Sequence, residues 1–130
     1  MNHPIQYIFL NKGLHMSTGK AAAQATHASI MGVLASNEKR RKVWADANER
    51  TVIILEARDV EHLASINVYL TQRGVTTRPI IDEGVNEIDP HTLTALASTI
   101  LNKDDEDEVE PFKTFNLYRD TVKINLEFER

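Results

Sequence analysis

The sequence TGKAAAQATHAS, at residues 18–29, decides how this chain folds. The run YIFL at residues 7–10 precedes it and predicts a buried strand, because aromatic and β-branched residues favour strands. Gly19 stands at the entry to a predicted helix, which Ser17 or Thr18 can cap. These features predict a strand, a short loop and a long helix in the first part of the chain.

One face of that predicted helix is chemically unusual. Lys20, Gln24 and His27 fall at i, i+4 and i+7, so all three share one side. An ordinary amphipathic helix does not need a stripe of cation, amide and imidazole, so the stripe indicates a functional surface. The other face is made largely of small residues, which would let the helix lie close to a sheet: Ala21, Ala22, Ala25 and Ala28.

Strand and helix patterns alternate along the rest of the chain and predict an α/β layer fold with a mixed sheet. Thr51–Ala57 is almost continuously apolar, as expected for a central strand covered on both faces. Residues 92–100 allow either a strand or a helix. The other predicted elements are a strand at residues 5–11, a helix at 18–35 with Ile30, Val33 and Leu34 on its buried side, a polar helix at 38–48 that carries Trp44, a helix at 60–73 with Gly74 at its C′ position, and a strand at 75–81.

Length and composition predict one domain over residues 1–130, with an acidic loop at 102–110 and a C-terminal extension at 119–130. No run approaches the roughly 20 apolar residues that span a bilayer, and the N-terminus lacks the features of a signal peptide. The absence of cysteine excludes disulfides and thiolate metal sites. We therefore expect a cytoplasmic protein with no membrane partner.

Charge is unevenly distributed along the chain. The net charge is -4, which argues mildly against a nucleic-acid partner. However, residues 1–58 hold eight Lys/Arg and four Asp/Glu, a net of +4, and residues 59–130 hold seven and fifteen, a net of -8. The cations include the basic run KRRK at residues 39–42, which could either form part of a phosphate-binding face or be a solvated helix end.

The last third of the chain leaves several alternatives open. Residues 102–110, NKDDEDEVE, contain six acidic residues and predict a solvated loop or the first turn of a last helix; a cation site is the less favoured alternative. Pro111 fits the first turn of a short helix. Residues 121–128, TVKINLEF, alternate well enough for an extra strand or an extended tail.

Two motifs carry a family resemblance. GKAAAQATHA, at residues 19–28, resembles the first-helix signature of the type 2, archaeal and eukaryotic, peptidyl-tRNA hydrolases. DEGVNEIDPHTLT, at residues 82–94, resembles that family's D-A-G-R-T-Q-I-x-P-G-x-x-T segment. The resemblance implies an α/β/α layered fold with a four-stranded mixed sheet and favours a strand at Thr92–Ser98. It also implies hydrolysis of the peptidyl-tRNA ester with tRNA as partner and no cofactor. Trp44 and the second helix could supply a homodimer interface or close the core.

The resemblance assigns a catalytic role to Asp82, which could orient a water or accept its proton; the alternative is a turn or cap aspartate. Lys20 would stabilise negative charge or hold a phosphate, unless it is a surface lysine. His27 fits a partly buried structural histidine better than a base, and no second histidine has metal-ligand spacing to it. The expected site has Lys20, Asp82 and Thr94 as catalytic residues, Gly19, Gln24, His27 and Asn86 as substrate-binding residues, and no metal.

Several positions depart from the family pattern. Thr18 stands where the family has a second lysine, and Glu56 where a strand usually ends in lysine. The loop's R-T-Q is VNE at residues 85–87, His91 replaces a glycine, and LAST at 96–99 replaces G-I-G-P. The lost cations leave two other hypotheses, which are a non-catalytic binding or regulatory protein on the same fold and a hydrolase of a different small ester or amide.

Overall fold

The computed structural model describes residues 1, 3–82 and 91–119. These residues form one α/β domain with helices on both faces of a mixed sheet, as predicted. The elements in chain order are β1 (Pro4–Asn11), a 3₁₀ turn (Lys12–Leu14), α1 (Thr18–Ala35), α2 (Glu38–Asp46), β2 (Thr51–Ala57), α3 (Val60–Gln72), β3 (Thr77–Asp82), β4 (Thr92–Ser98), β5 (Leu101–Asn102), α4 (Glu106–Val109) and a second 3₁₀ turn (Glu110–Phe112).

The strand order is β2-β1-β4-β3, with the two-residue β5 paired to the beginning of β1. β1 pairs parallel to β2 and antiparallel to β4, and β3 pairs antiparallel to β4. The carboxyl ends of β1, β2 and β3 therefore meet at one edge of the sheet, together with the start of β4. We call this the carboxyl edge.

The prediction that Thr51–Ala57 is the central strand is wrong. β2 lies at the end of the strand order, and its Val52 is 43% exposed. The central position belongs to β1, in which every residue except the half-buried Tyr7 is buried. An apolar run by itself cannot separate the two, because an edge strand that packs on one face only can be as apolar as a covered one.

α1 lies close to one face of the sheet because the residues between them are small. Its buried residues are Ala21, Gln24, Ala28 and Gly32. A Cβ atom at Gly32 would overlap the side chain of Gln6 on β1 and the carbonyl oxygen of Ser98 on β4. The start of α1 is capped by Ser17, whose side chain accepts a hydrogen bond from the Lys20 N–H.

The prediction of a buried side at Ile30, Val33 and Leu34 is wrong. Ile30 is 53% exposed and Leu34 is 60% exposed, and Val33 is half-buried. The close approach that Gly32 permits turns the glycine and alanine side of the helix inward. The larger apolar side chains consequently lie on the outer side.

A buried polar cluster fixes α1 on the sheet. The Gln6 side chain is fully buried, and its amide nitrogen donates to the carbonyl oxygens of Ser29 (3.0 Å) and Ser98 (3.1 Å). The Ser29 hydroxyl donates to the Gln6 amide oxygen at 2.6 Å. Because a buried amide without partners is costly, this arrangement selects one position of α1 along β1.

The opposite face of the sheet carries α3 and the chain after β5. α3 buries Leu63, Ile66 and Leu70, and Gly74 follows it with φ of 80°, which confirms the predicted glycine stop. The rings of Tyr7 and Phe112 stack with centroids 4.0 Å apart.

The acidic segment includes α4, as one of its predicted alternatives requires, and Pro111 lies in the first turn of the second 3₁₀ turn. Within the described ranges, no group of three or more His, Asp or Glu could hold a metal ion. The prediction for residues 121–128 lies outside the described residues. No helix in the described part of the chain has the length and apolarity to cross a membrane.

Candidate active site

The carboxyl edge brings Lys20 and Asp82 together from positions 62 residues apart. Asp82 ends β3, and strand alternation places it on the same face as the buried Ile80, beneath the first turn of α1. The Lys20 Nζ donates to the Asp82 Oδ1 at 2.8 Å, and the two side chains are only 9% and 7% exposed. This ion pair brings two of the predicted site residues to one location.

Thr94 and Gln24 form a second contact on the same face. The Thr94 Oγ1 donates to the Gln24 Oε1 at 2.7 Å and lies 3.3 Å from the carbonyl oxygen of Ile80. Thr94 is fully buried, so its hydroxyl does not reach solvent. The threonine thus contacts Gln24 rather than an open cavity, so its hydroxyl is not placed to touch a bound molecule directly.

A β-bulge explains why Thr94 faces α1. Ile80 pairs with Ala95 and Ile81 with Leu93, so Thr94 is the extra residue on β4. Leu93 packs against the α3-side core and Ala95 belongs to the α1-side core. Without the extra residue, alternation from Ala95 would turn Thr94 toward α3.

Two polar groups of this cluster remain available to a ligand. The Lys20 ammonium has three N–H groups and only Asp82 as a partner among the described residues. The Gln24 amide nitrogen has no partner in the described ranges, and no fully buried side-chain polar atom there lacks one. That nitrogen therefore reaches solvent and can donate to a bound molecule.

The other expected site residues are placed less closely. His27 is exposed, not partly buried as its structural interpretation required. Gly19 lies in the first turn of α1, with open space where a Cβ would stand. Asn86 lies outside the described residues. The predicted stripe therefore divides, because Lys20 and Gln24 turn toward the sheet and His27 turns away.

Asn11, which ends β1 at the carboxyl edge, was not predicted from the sequence as part of the site. Asn11 is 1% exposed, its Nδ2 donates to the carbonyl oxygen of Leu93 at 3.0 Å, and its Oδ1 accepts from the Gly13 N–H at 3.1 Å. It thereby fixes the 3₁₀ turn to the start of β4, beside Thr94. The sequence signal for Asn11 was a polar residue at the end of a largely apolar strand.

The carboxyl edge also carries cations beside β2. The Lys12 Nζ lies 3.4 Å from the Oε1 of Glu56, the residue that stands where the family pattern has a lysine. The backbone N–H of Arg58 donates to the His62 Nδ1 at 2.9 Å. Partial burial, and then the nearby Arg58 charge, lower the pKa of His62, so this imidazole favours its neutral form.

The basic run at residues 39–42 lies elsewhere. Lys39 and Lys42 line a groove with His3, which precedes β1, so the run is at the edge opposite Asn11. Eight residues of extended strand separate the two edges by about 26 Å. Arg40 is paired to Glu108. The basic run and the Lys20 site therefore do not form one continuous face.

His91 immediately precedes β4 and has an unusual backbone conformation. Its φ is 62°, in the left-handed region that glycine adopts most easily. Its backbone N–H donates to the carbonyl oxygen of Asp82 at 2.6 Å, and this hydrogen bond joins the end of β3 to the residue before β4. The position explains why a glycine suits the corresponding place in the family motif.

Comparison with known proteins gives a consistent assignment. The sequence model of the family described as Peptidyl-tRNA hydrolase PTH2 matches residues 5–116. A protein named Peptidyl-tRNA hydrolase from Pyrobaculum aerophilum is 37% identical over 94 residues, covering 68% of this chain and 78% of the relative. One of the same name from Methanopyrus kandleri is 30% identical over 107 residues, covering 81% and 89%. A third, from Thermoplasma acidophilum, is 26% identical over 106 residues, covering 79% and 87%.

The family match includes both halves of the site, the first turns of α1 and the ends of β3 and β4. It also covers more than half of the chain, and the relatives are covered over most of their own lengths. The chain belongs to the peptidyl-tRNA hydrolase PTH2 family.

Proposed function

We propose that this chain hydrolyses the ester bond of peptidyl-tRNA. A water oxygen bonds to the ester carbonyl carbon, the bond from that carbon to the ribose oxygen breaks, and a proton passes to the ribose oxygen. The products are a peptide with a free carboxyl group and a tRNA with a free terminal ribose. Family membership supports this reaction, and the observation that carries it is the buried Lys20–Asp82 pair at the carboxyl edge.

Lys20 and Asp82 have complementary roles in this proposal. The ammonium of Lys20 keeps N–H groups that can donate to the carbonyl oxygen as it gains negative charge, or to the terminal phosphate. The carboxylate of Asp82 orients the attacking water and accepts its proton. Their mutual contact fixes both groups before substrate binds, and preorganised charge of this kind lowers the barrier to reaction.

Gln24 and Thr94 act as a unit in the proposed site. The solvent-reaching Gln24 amide nitrogen donates to the ester or the terminal ribose. Thr94 is a positioning residue, because its buried hydroxyl holds the Gln24 amide oxygen. Gly19 leaves room for substrate beside the first turn of α1, and His27 would contact tRNA farther from the ester. Asn86 stays a proposed substrate-binding residue.

The proposed tRNA contacts are local, since the whole chain is acidic. Lys12, Lys20 and Arg58 stand at or near the carboxyl edge, and phosphates bound there release counterions. Binding should therefore weaken as salt concentration rises. We also propose a cytoplasmic location, and α2, with the half-buried Trp44, as the contact surface of a homodimer.

Neither alternative hypothesis gains support. None of the relatives described above is named as a binding or regulatory protein, and Glu56, one of the residues that motivated that hypothesis, pairs with Lys12. The other alternative, hydrolysis of a small ester or amide, differs from the proposed reaction only in its substrate. Comparing the turnover of N-acetyl-aminoacyl-tRNA with that of a short N-acylaminoacyl ester distinguishes the two reactions.

The deciding experiment measures release of N-acetyl-amino acid from N-acetyl-aminoacyl-tRNA by the pure protein. Asp82→Asn is run alongside, because the amide keeps the shape of the side chain and removes its charge. Glu108→Gln is the matched control, since it makes the same chemical change in an ion pair at the opposite edge. We expect release by the wild type and the control but not by Asp82→Asn. A folded wild type without release would refute the proposal.

A further inference from the structure

The side chain of Asn11 joins the end of β1 to the bulged part of β4. The backbone pairing between these two strands runs as far as Leu10 opposite Ala95. The next position on β4 is Thr94, the extra residue of the bulge. Beyond it, the Asn11 Nδ2 donates to the carbonyl oxygen of Leu93 at 3.0 Å. A side chain therefore ties the two strands together at the point where their backbone pairing stops.

The two contacts of the Asn11 amide fix its orientation. Its Oδ1 accepts from the Gly13 N–H at 3.1 Å, and a backbone N–H can only donate. Its Nδ2 faces the carbonyl oxygen of Leu93, which can only accept. Because Asn11 is 1% exposed, solvent hardly competes for either bond. The amide thus joins the first 3₁₀ turn to β4 in one arrangement.

Leu93 is held from both neighbouring strands. On one side it pairs with Ile81 of β3, and on the other its carbonyl oxygen accepts from Asn11. If Leu93 replaced Thr94 as the extra residue, alternation from Ala95 would turn Thr94 toward α3. Such a slip would leave the buried Asn11 amide without its acceptor, which is costly. The Asn11 contact therefore opposes the slip.

We infer that Asn11 is a positioning residue of the active site. It fixes the bulge, the bulge directs Thr94 toward α1, and the Thr94 hydroxyl holds the Gln24 amide oxygen at 2.7 Å. The direction of the Gln24 amide nitrogen thus depends on a side chain of another strand that need not touch the substrate. The inference rests on the proposed function, in which that nitrogen donates to the ester or the terminal ribose.

Asn11→Ala and Ser98→Ala form a matched pair of variants. Ser98 is also 1% exposed, and its hydroxyl accepts from the Tyr7 N–H at 3.1 Å, so it joins the same two strands toward their other end. We expect both variants to lose stability, but only Asn11→Ala to lower kcat/KM for N-acetyl-aminoacyl-tRNA, by about tenfold. Full activity of Asn11→Ala, or equal losses in the two variants, would overturn the inference.

A double-mutant cycle tests whether Asn11 acts through Thr94. If it does, Asn11→Ala and Thr94→Val remove the same function, and the double variant keeps the roughly tenfold loss of either single variant. A loss of roughly 100-fold, the product of two independent effects, would contradict the inference.

Asn11→Ser separates the two bonds of the Asn11 side chain. A serine hydroxyl can still accept from the Gly13 N–H, but it is too short to reach the Leu93 carbonyl oxygen as well. We expect Asn11→Ser to be as impaired as Asn11→Ala, and it replaces that variant in the cycle if Asn11→Ala does not fold. Wild-type activity of Asn11→Ser would show that Asn11 does not act through Leu93.

The side-chain amide signals of Gln24 in NMR spectra test the positioning without substrate. We expect Asn11→Ala and Thr94→Val to move these signals in the same direction, and Ser98→Ala to leave them in place. Unmoved signals in Asn11→Ala would overturn the inference even if activity fell. A folded wild type that releases no N-acetyl-amino acid would instead refute the proposed function, and the Gln24 signals would still decide the role of Asn11.

Discussion

Two ion pairs tie distant parts of this chain together, and they differ in how fully their cations are bonded. Lys20 and Asp82 are 9% and 7% exposed, yet Lys20 bonds only to Asp82 among the described residues. Arg40 and Glu108 are more exposed, at 31% and 22%. Arg40 nevertheless contacts both carboxylate oxygens and donates to the carbonyl oxygen of Ile100.

The difference indicates which pair is structural and which is functional. Removing a charge from water is costly, and hydrogen bonds to its remaining donors offset that cost. The Arg40 pair meets this condition and joins α2 to the end of the sheet. The Lys20 pair is more deeply buried but leaves donors unused. A folded state gains nothing from such donors, whereas an enzyme can direct them at a substrate.

Breaking the Lys20–Asp82 pair should have the largest effect on activity. Lys20→Met keeps the length of the stem and Asp82→Asn keeps the shape of the side chain. We expect each to lower kcat/KM for N-acetyl-aminoacyl-tRNA by about 100-fold or more, the usual result of losing an electrostatic contact to the transition state. Arg40→Met should stay within about threefold of wild type. Near-normal turnover by either site variant would remove that residue from the mechanism.

Breaking the Arg40–Glu108 pair should instead have its main effect on stability. Arg40→Met leaves a half-buried carboxylate without its cation, and we expect a loss of about 2 kcal/mol in the free energy of unfolding. Urea denaturation measures it, with Lys42→Met as the control, because the Lys42–Asp46 pair is highly exposed. Equal stability of Arg40→Met and Lys42→Met would show that the hydrogen bonds of Arg40 do not stabilise the folded state.

The same pair predicts a pH dependence. The hydrogen bond from Arg40 lowers the pKa of Glu108, so the folded state binds the proton less tightly than the unfolded state does. Its contribution is complete above the unfolded value of about 4.3 and is lost as pH falls through the lower folded value. Wild type should therefore lose more stability than Arg40→Met in acid. Parallel acid-unfolding curves would contradict this account.

The Thr94–Gln24 contact should have a smaller effect on activity. Thr94→Val keeps the shape of the side chain and frees the Gln24 amide, and we expect about a tenfold loss in kcat/KM, or 1.4 kcal/mol. Thr77→Val is the matched control, because it removes a comparable hydrogen bond, to Asn67, at the far end of β3. Both should lose about 1 kcal/mol of stability. If both retain full activity, Thr94 is only structural.

The two edges of the sheet also differ in how well sequence predicts them. The helix signature and the Asp82 motif each lie in a short stretch, so local patterns placed Lys20 at a helix start and Asp82 at a strand end. The orientation of Thr94 depends on a bulge against β3, which no local pattern contains. At the opposite edge, the partner of Arg40 lies 68 residues away. The basic run therefore gave no sign of which cation would be structural.

The predictions for α1 and β2 were wrong because each relied on the apolar pattern of a single segment. Sequence patterns direct large apolar residues inward, but Gly32 brings the helix so near the sheet that Ile30 and Leu34 remain outside. The apolar run of β2 could not reveal its place in the strand order, since that order is set by pairing among β1, β4 and β3. Both errors concern long-range packing, which the hydrophobic period of one segment does not encode.

The smallest predicted effect concerns strain beside Asp82. A side chain at the positive φ of His91 destabilises the folded state by about 1–2 kcal/mol. Glycine removes this strain, but the greater entropy of the unfolded chain lowers stability by roughly 0.5–1 kcal/mol. His91→Gly should therefore raise the free energy of unfolding by up to about 1 kcal/mol, with Arg73→Gly as a control at negative φ that loses stability. Thermal and urea denaturation measure both. Destabilisation by His91→Gly would mean that contacts of the His91 imidazole contribute more to the free energy of unfolding than the backbone strain subtracts from it.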